Sequence, residues 1–290
     1  MPDWATFAVA TVALTLLLLF FTRRSQRILE RARFVDSRGD APGGDRAGGA
    51  AGEGHRTADA DLTQGVDRPR DTDHRDRPVL TTRLLLANAA VSQGFALALL
   101  AAIAWWTGVP ASALGVGGTH PTLGAPAVAS LEPRGHVALG VVAGVVLAAG
   151  NQASARLGAR VGVAPSTRLR EAMAPTDRGE WVLLLGVALP VVAGFEEALF
   201  RGALTGALSV GFAVDPWLLV VASSIAFGLG HGAQGPLGIA VAGGLGLALG
   251  GLFVATGSLP AVVVAHYVVN AVEFVAHERP GGVSVGSERG

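Results

Sequence analysis

Residues Trp181 to Leu208 read WVLLLGVALPVVAGFEEALFRGALTGAL. The run is long enough to cross a bilayer, which takes ~20 apolar residues in a helix. Yet Glu196, Glu197 and Arg201 stand inside it. A charge at the centre of a membrane helix costs about 2.5–3.5 kcal/mol on the translocon scale. Three together mark either a helix end at the interface or a working site. Helix geometry sorts them. Glu197 and Arg201 are four residues apart, on one face, where a planar guanidinium can pair with a carboxylate. Glu196 is turned about 100° away from Glu197. It lacks that partner and is left to take up a proton.

Outward from this run the chain is apolar in both directions. Of its 290 residues, 50% are hydrophobic and 15% charged, and the mean hydropathy is +0.48. Soluble domains carry about 25% charged residues, and here about half of the charges fall between Arg23 and Arg77. The other apolar runs are Ala5 to Phe21, Leu84 to Thr107, His136 to Ala155, Pro216 to Gly230, Leu237 to Thr256 and Leu259 to Val275. These predict an all-α, polytopic integral membrane helix bundle with about seven transmembrane helices, because a helix satisfies its own backbone in lipid. An ordinary soluble enzyme is excluded, and so is a disulfide scaffold, since Cys is absent. A net charge of zero gives no pull toward nucleic acid.

Charge also predicts the topology. Ala5 to Phe21 has no basic flank before it and no small-residue cleavage site after it, so it reads as a membrane helix or signal anchor. Arg23, Arg24, Arg27, Arg31 and Arg33 follow, and Arg156, Arg160, Arg168, Arg170 and Arg178 share a later loop. Basic loops stay in the cytoplasm. Seven spans with the N-terminus outside put both groups and the C-terminus inside, in the plasma membrane of a prokaryote. The expected parts are an N-terminal membrane helix (1–22), a basic flank and disordered cytoplasmic linker (23–80), a helix bundle (81–277) with its motifs in 181–277, and a flexible tail (278–290). Asp36 to Pro78 is rich in Gly, Asp, Arg, Ala and Pro and cannot bury enough surface to fold.

Two further places break the rule against polar groups in lipid. His231 ends the run Phe227-Gly-Leu-Gly-His231, with Phe227 on its own face, and His266 and Asn270 share a face of the last run. Alone, each has an ordinary explanation in helix packing or an interfacial position. Together with Glu196 they supply a carboxylate, two imidazoles and a carboxamide on three helices. Glu and His can hold and deprotonate a water, and His and Asn can donate to an oxyanion. Those parts hydrolyse a peptide bond without a covalent intermediate. Ser223 and Ser224 lack a Gly-x-Ser-x-Gly elbow. Glu196, His231 and His266 would equally make a His2Glu zinc set, although His-Glu-x-x-His is missing. The sequence leaves zinc and a metal-free water both open. Asn151 and Gln152 are polar and unassigned, as packing contacts or as cavity lining. Counting ~1.5 Å per residue from the cytoplasmic end puts Glu196 deep in its run and His231 near the end of its own. Tilt, a break near Gly194 or Gly202, or different span limits must bring them level.

The motifs Glu196-Glu197-x-x-x-Arg201, Phe227-x-x-x-His231 and His266-x-x-x-Asn270, in this order on successive membrane helices, resemble the CPBP family. These are the CAAX prenyl protease type II and bacteriocin-processing intramembrane endopeptidases, also called the Abi family. The run Leu252 to Leu259 resembles the family's lead-in to the last motif. The resemblance covers Trp181 to His277. It implies a membrane protease in which Glu196 activates water, His231 helps to hold that water, and His266 and Asn270 stabilise the oxyanion. Glu197, Arg201 and Phe227 would support the site. Its partners would be the lipid bilayer and a membrane-associated protein or peptide. Zinc on Glu196, His231 and His266 remains the alternative, since the family is often described as metalloproteases. Two other classes compete: a non-catalytic membrane scaffold or immunity-type protein, and a proton-coupled transporter. The latter often shows internal repeats, and none is visible.

Overall fold

The computed structural model describes residues 1–29, 33–34, 79–117, 120–125, 128, 130–160, 162 and 166–278. Among these, seven long helices form a bundle: α1 (Trp4–Leu29), α2 (Thr82–Trp106), α3 (Pro133–Arg160), α4 (Arg178–Phe212), α5 (Pro216–Gly230), α6 (Gly235–Thr256) and α7 (Leu259–Glu278). A two-residue parallel ladder, Arg33–Phe34 with Val79–Leu80, is the one extended pairing among them. The expected linker from Asp36 to Pro78 and the tail beyond Glu278 lie outside the described residues. α1 runs past the expected boundary at 22 and carries Arg23, Arg24 and Arg27 on its last turns.

Six of these helices are long and apolar enough to span a membrane. The seventh, α5, has 15 residues. At 1.5 Å per residue it is about 22 Å long, short of the ~30 Å hydrocarbon core. α4 is the opposite case, with 35 residues. It is not uniform: π-helical turns occupy Leu184–Ala188 and Ala198–Ala207, and α-helix covers Leu189–Glu197 between them. Such wide turns recur at functional sites. The helix does not break at Gly194 or Gly202; Gly202 lies within the second π-helical stretch.

The short helix and the long one together remove the expected mismatch in depth. Asp215 caps α5, its carboxylate accepting from the N–H groups of Trp217 and Leu218, and Pro216 opens the helix. Counted from this α4–α5 turn, Glu196 lies 16 residues back from Phe212 and His231 lies 15 residues on from Pro216. The two arms of the hairpin differ by one residue at the site. The chain then reverses through a 3-10 turn, Gly232–Gln234, into α6.

Small residues set the helix contacts, as packing in lipid requires. α3 lies along α7, and α5 along α6. A Cβ on Gly140 would come within 2.5 Å of the Ala261 carbonyl, and one on Gly144 within 2.7 Å of that of Ala265. α1, α2, α4 and α5 share a core of Phe7, Leu14, Leu100, Phe195, Leu199, Phe200 and Phe227. Near their start, α2 and α4 are tied by Arg83, 2.7 Å from Asp177 and 3.6 Å from Glu180. The turn after α6 uses Gly257 at φ 62°, a left-handed conformation that favours glycine.

Candidate active site

Both carboxylates lie in the last α-helical turn before the π-helical stretch of α4, and they point apart as the helical spacing predicts. Glu197 is fully buried and Arg201 is 1% exposed. Arg201 Nη1 donates to Glu197 Oε1 at 3.0 Å, and its Nη2 donates to the Gly246 carbonyl of α6 at 2.9 Å. The guanidinium also lies 4.8 Å from the centre of the Phe227 ring, close enough for a cation–π contact. One cation thereby fastens α4 to α5 and α6. Uncompensated, either buried charge would be strongly destabilising.

His266 of α7 completes the closed side. Its Nδ1 lies 2.7 Å from Glu197 Oε1. Glu197 Oε1 also accepts from Arg201, and as the acceptor it leaves Nδ1–H to be the donor. The other nitrogen, Nε2, lies 3.7 Å from Glu196 Oε2. Glu197 therefore orients the ring, and the ring turns its second nitrogen toward Glu196. The Phe227 ring packs against both imidazoles, 4.6 Å from His231 and 5.8 Å from His266 between ring centres. Phe200 braces it edge-on at 5.2 Å.

Glu196 faces the open side. Its side chain is 17% exposed, against 0% for its neighbour. It lines a cavity of about 250 Å³ together with His231, Gly230 and Phe227 of α5, and Phe195, Leu199 and Phe200 of α4. His231 Nδ1 is 2.9 Å from the Phe227 carbonyl. A carbonyl only accepts, so Nδ1 carries the proton, and Nε2 is the free, basic nitrogen of a ring that lines the cavity.

The structure thus brings Glu196, Glu197, Arg201, Phe227, His231 and His266 together. Asn270 is half-buried one turn beyond His266 on α7 and is not among the cavity-lining residues. Ser223 and Ser224 are buried in the packing of α5, Ser223 against Val220 and Thr205. Asn151 serves packing too: its Nδ2 donates to Glu273 Oε2 at 3.3 Å and links α3 to α7. Among the described residues no three His, Asp or Glu side chains stand close enough together to hold a metal.

The far wall of the cavity was missed in the sequence. It comes from α1, through Thr15, Leu18, Leu19 and Thr22, and from α2, through Gln93. Gln93 carried a usable signal, as a carboxamide within an apolar run. The α1 residues carried none, since Thr and Leu are unremarkable in a membrane helix.

The sequence model of a protein family described as type II CAAX prenyl endopeptidase, Rce1-like, matches residues 178–272. The matched segment holds all three motifs. It supports the resemblance drawn from them, and it supports a protease embedded in a membrane. α1, α2 and α3 lie outside it. No curated protein and no solved structure gives a significant match to the chain.

Proposed function

We propose that this protein is an intramembrane endopeptidase that hydrolyses peptide bonds of membrane-associated proteins or peptides. The observation that carries the reading is the division of labour between adjacent carboxylates. Glu197 is locked to Arg201 and His266, while Glu196 stands in a cavity beside the free nitrogen of His231. Glu196 accepts a proton from a water that His231 Nε2 helps to hold, and the water oxygen adds to the scissile carbonyl carbon. Negative charge develops on the carbonyl oxygen. His266 Nε2 donates to it, with Asn270 as second donor by the resemblance. Because Nδ1–H is already given to Glu197, donation from Nε2 requires the imidazolium form, and the carboxylates on either side balance that charge. Glu196 then returns its proton to the leaving amine as the C–N bond breaks. The products are a carboxylate and an amine. The proposed route uses no metal, in keeping with the lack of a three-donor cluster among the described residues.

The matched family's description makes an S-prenylated peptide ending in a C-a-a-X box the first substrate to test. The proposed location is the plasma membrane of a prokaryote, with the N-terminus outside. The test compares purified wild type and Glu196→Gln on quenched-fluorescence peptides of this kind, with and without a chelator. The expected result is cleavage by wild type alone, unchanged by chelation. Equal cleavage by both proteins would defeat the assignment of Glu196. Loss of wild-type cleavage on chelation, restored by zinc, would overturn the metal-free route.

A further inference from the structure

Gln93 faces the proposed base from outside the motif-bearing helices. It projects from the middle of α2 into the cavity that holds Glu196 and His231. Its Oε1 is buried and has no hydrogen-bond partner. A buried amide oxygen without a partner is costly in an apolar setting. Within the span Thr82–Trp106, a carboxamide that serves helix packing would have its acceptor filled by a neighbouring helix. Serine in the same helix shows the ordinary solution: Ser92 Oγ donates to the Asn88 carbonyl at 2.6 Å. Gln93 Oε1 does not find such a partner, and the residue that carries it lines the proposed site.

The chemistry of that space selects the ligand. An unpartnered acceptor oxygen at the edge of a cavity is satisfied by an N–H once the side chain turns toward a ligand. The proposed substrate is a peptide, whose main chain offers one N–H per residue. The cavity measures about 250 Å³, below the ~300–1,000 Å³ of sites that enclose a drug-sized molecule. It therefore holds a short stretch of chain around the bond to be cut. The remaining wall, Leu18 and Leu19 with the hydroxyls of Thr15 and Thr22, gives that stretch an apolar side.

We propose that Gln93 is a substrate-binding residue whose carboxamide oxygen accepts a main-chain N–H of the peptide held against Glu196, in a subsite walled by α1. This rests on the endopeptidase reading for the identity of the ligand. It also assigns a role to α1 and α2, which the family match does not reach. An N–H held opposite the base fixes the register of the chain, so that one carbonyl is presented to the water.

The test reads binding in a background that needs no cleavage. Glu196→Gln and Glu196→Gln/Gln93→Met are compared by fluorescence polarisation on a fluorescein-labelled S-farnesyl peptide ending in a C-a-a-X box. Analogues in which single backbone amides are replaced by esters, removing one N–H at a time, follow. The expected result is about three- to tenfold weaker binding of the amide peptide to the double variant, the scale of one neutral hydrogen bond. At one ester position the Glu196→Gln protein should lose the same factor, and the double variant nothing further. Equal affinities of the two proteins for the amide peptide would overturn the proposal. So would a double variant that still discriminates fully against every ester, or an absence of binding to either protein. The endopeptidase reading is judged separately by whether wild type cleaves and Glu196→Gln does not. A peptide that binds through Gln93 without being cleaved would leave this subsite standing and the hydrolytic role of Glu196 refuted.

Discussion

On one side of Glu196 the site is closed and on the other it is open, and the two sides are built differently. The closed side is Glu197, Arg201, His266 and Phe227, each no more than 2% exposed and joined by charge-assisted hydrogen bonds and ring contacts across α4, α5, α6 and α7. The open side is Glu196, His231 and Gln93 around a cavity, with α1 for a wall. Side chains on the closed side have their geometry imposed on them. Those on the open side border the cavity, where a ligand can reach them. Reaction calls for the second kind, and precise placement of the second kind calls for the first.

The contrast is broken most sharply by exchanging one carboxylate. Glu196→Gln should lower the cleavage rate by about 10²–10⁴, the range for a lost general base, while the thermal midpoint in detergent stays within a degree or two. A large fall in that midpoint would mean that Glu196 belongs to the closed side. Arg201→Met should do the reverse. It strands Glu197 in a buried position and should destabilise the protein by about 3–5 kcal/mol, read as a lowered midpoint of unfolding. Adding Glu197→Gln to it removes the stranded charge and should restore most of the stability. Activity should stay low in the double variant, because His266 has then lost the anion that orients it. Recovery of activity along with stability would show that the closed side is only scaffolding.

A smaller effect sharpens the same division from a distance. Gly144 of α3 meets the backbone of α7 directly, one residue before His266: a Cβ there would lie 2.7 Å from the Ala265 carbonyl. Gly144→Leu should cost about 1–3 kcal/mol by overpacking. By pushing α7 it should also lower the turnover rate more than the affinity for peptide. Unchanged turnover at reduced stability would mean that the placement of His266 does not depend on how α3 packs.

These two sides also differ in how far the sequence disclosed them. Glu197 with Arg201, Phe227 with His231, and His266 with Asn270 are all spaced at i and i+4, and helical geometry alone puts each pair on one face. The bundle was legible for a related reason: an apolar run of sufficient length in lipid has few alternatives to a helix. Other features depend on tertiary placement. The π-helical turns of α4 leave no mark in composition, whereas the 15 residues of α5 are the run from Pro216 to Gly230 that the sequence marks out. Similar depth of Glu196 and His231 follows from counting at the α4–α5 turn, whereas counting from the basic loop had set them apart. Asn270 shares a face with His266 as expected, while the far wall of the cavity is made by α1 and α2. Distance along the chain hides that contribution, since Thr15 and Gln93 lie far from every motif.

The smallest effect expected lies outside the membrane spans, where the loop after α2 is pinned beneath the π-helical part of α4. His120 is 3% exposed there. Its Nδ1 accepts from the N–H groups of Thr122 and Leu123, both at 3.2 Å, so Nε2 carries the proton and donates to the Ala113 carbonyl at 3.0 Å. Burial holds its pKa below the ordinary value of 6.5, and only hydrogen bonds to the backbone of Ala113 and Gly206 oppose that. A second proton would have to enter between Nδ1 and two donors already aimed at it. The unfolded chain takes that proton more readily than the folded one. The stabilising contribution is therefore complete above about pH 6.5 and is lost progressively as the pH falls below it, by at most about 1.4 kcal/mol per pH unit. Thermal midpoints of wild type and His120→Asn, measured from pH 8 down to pH 5, isolate this group from the other histidines. The wild type should lose more on acidification than the variant, which cannot be protonated there. Parallel curves would show that the loop tolerates a charged His120, and that the clamp holding it on α4 is the backbone turn alone.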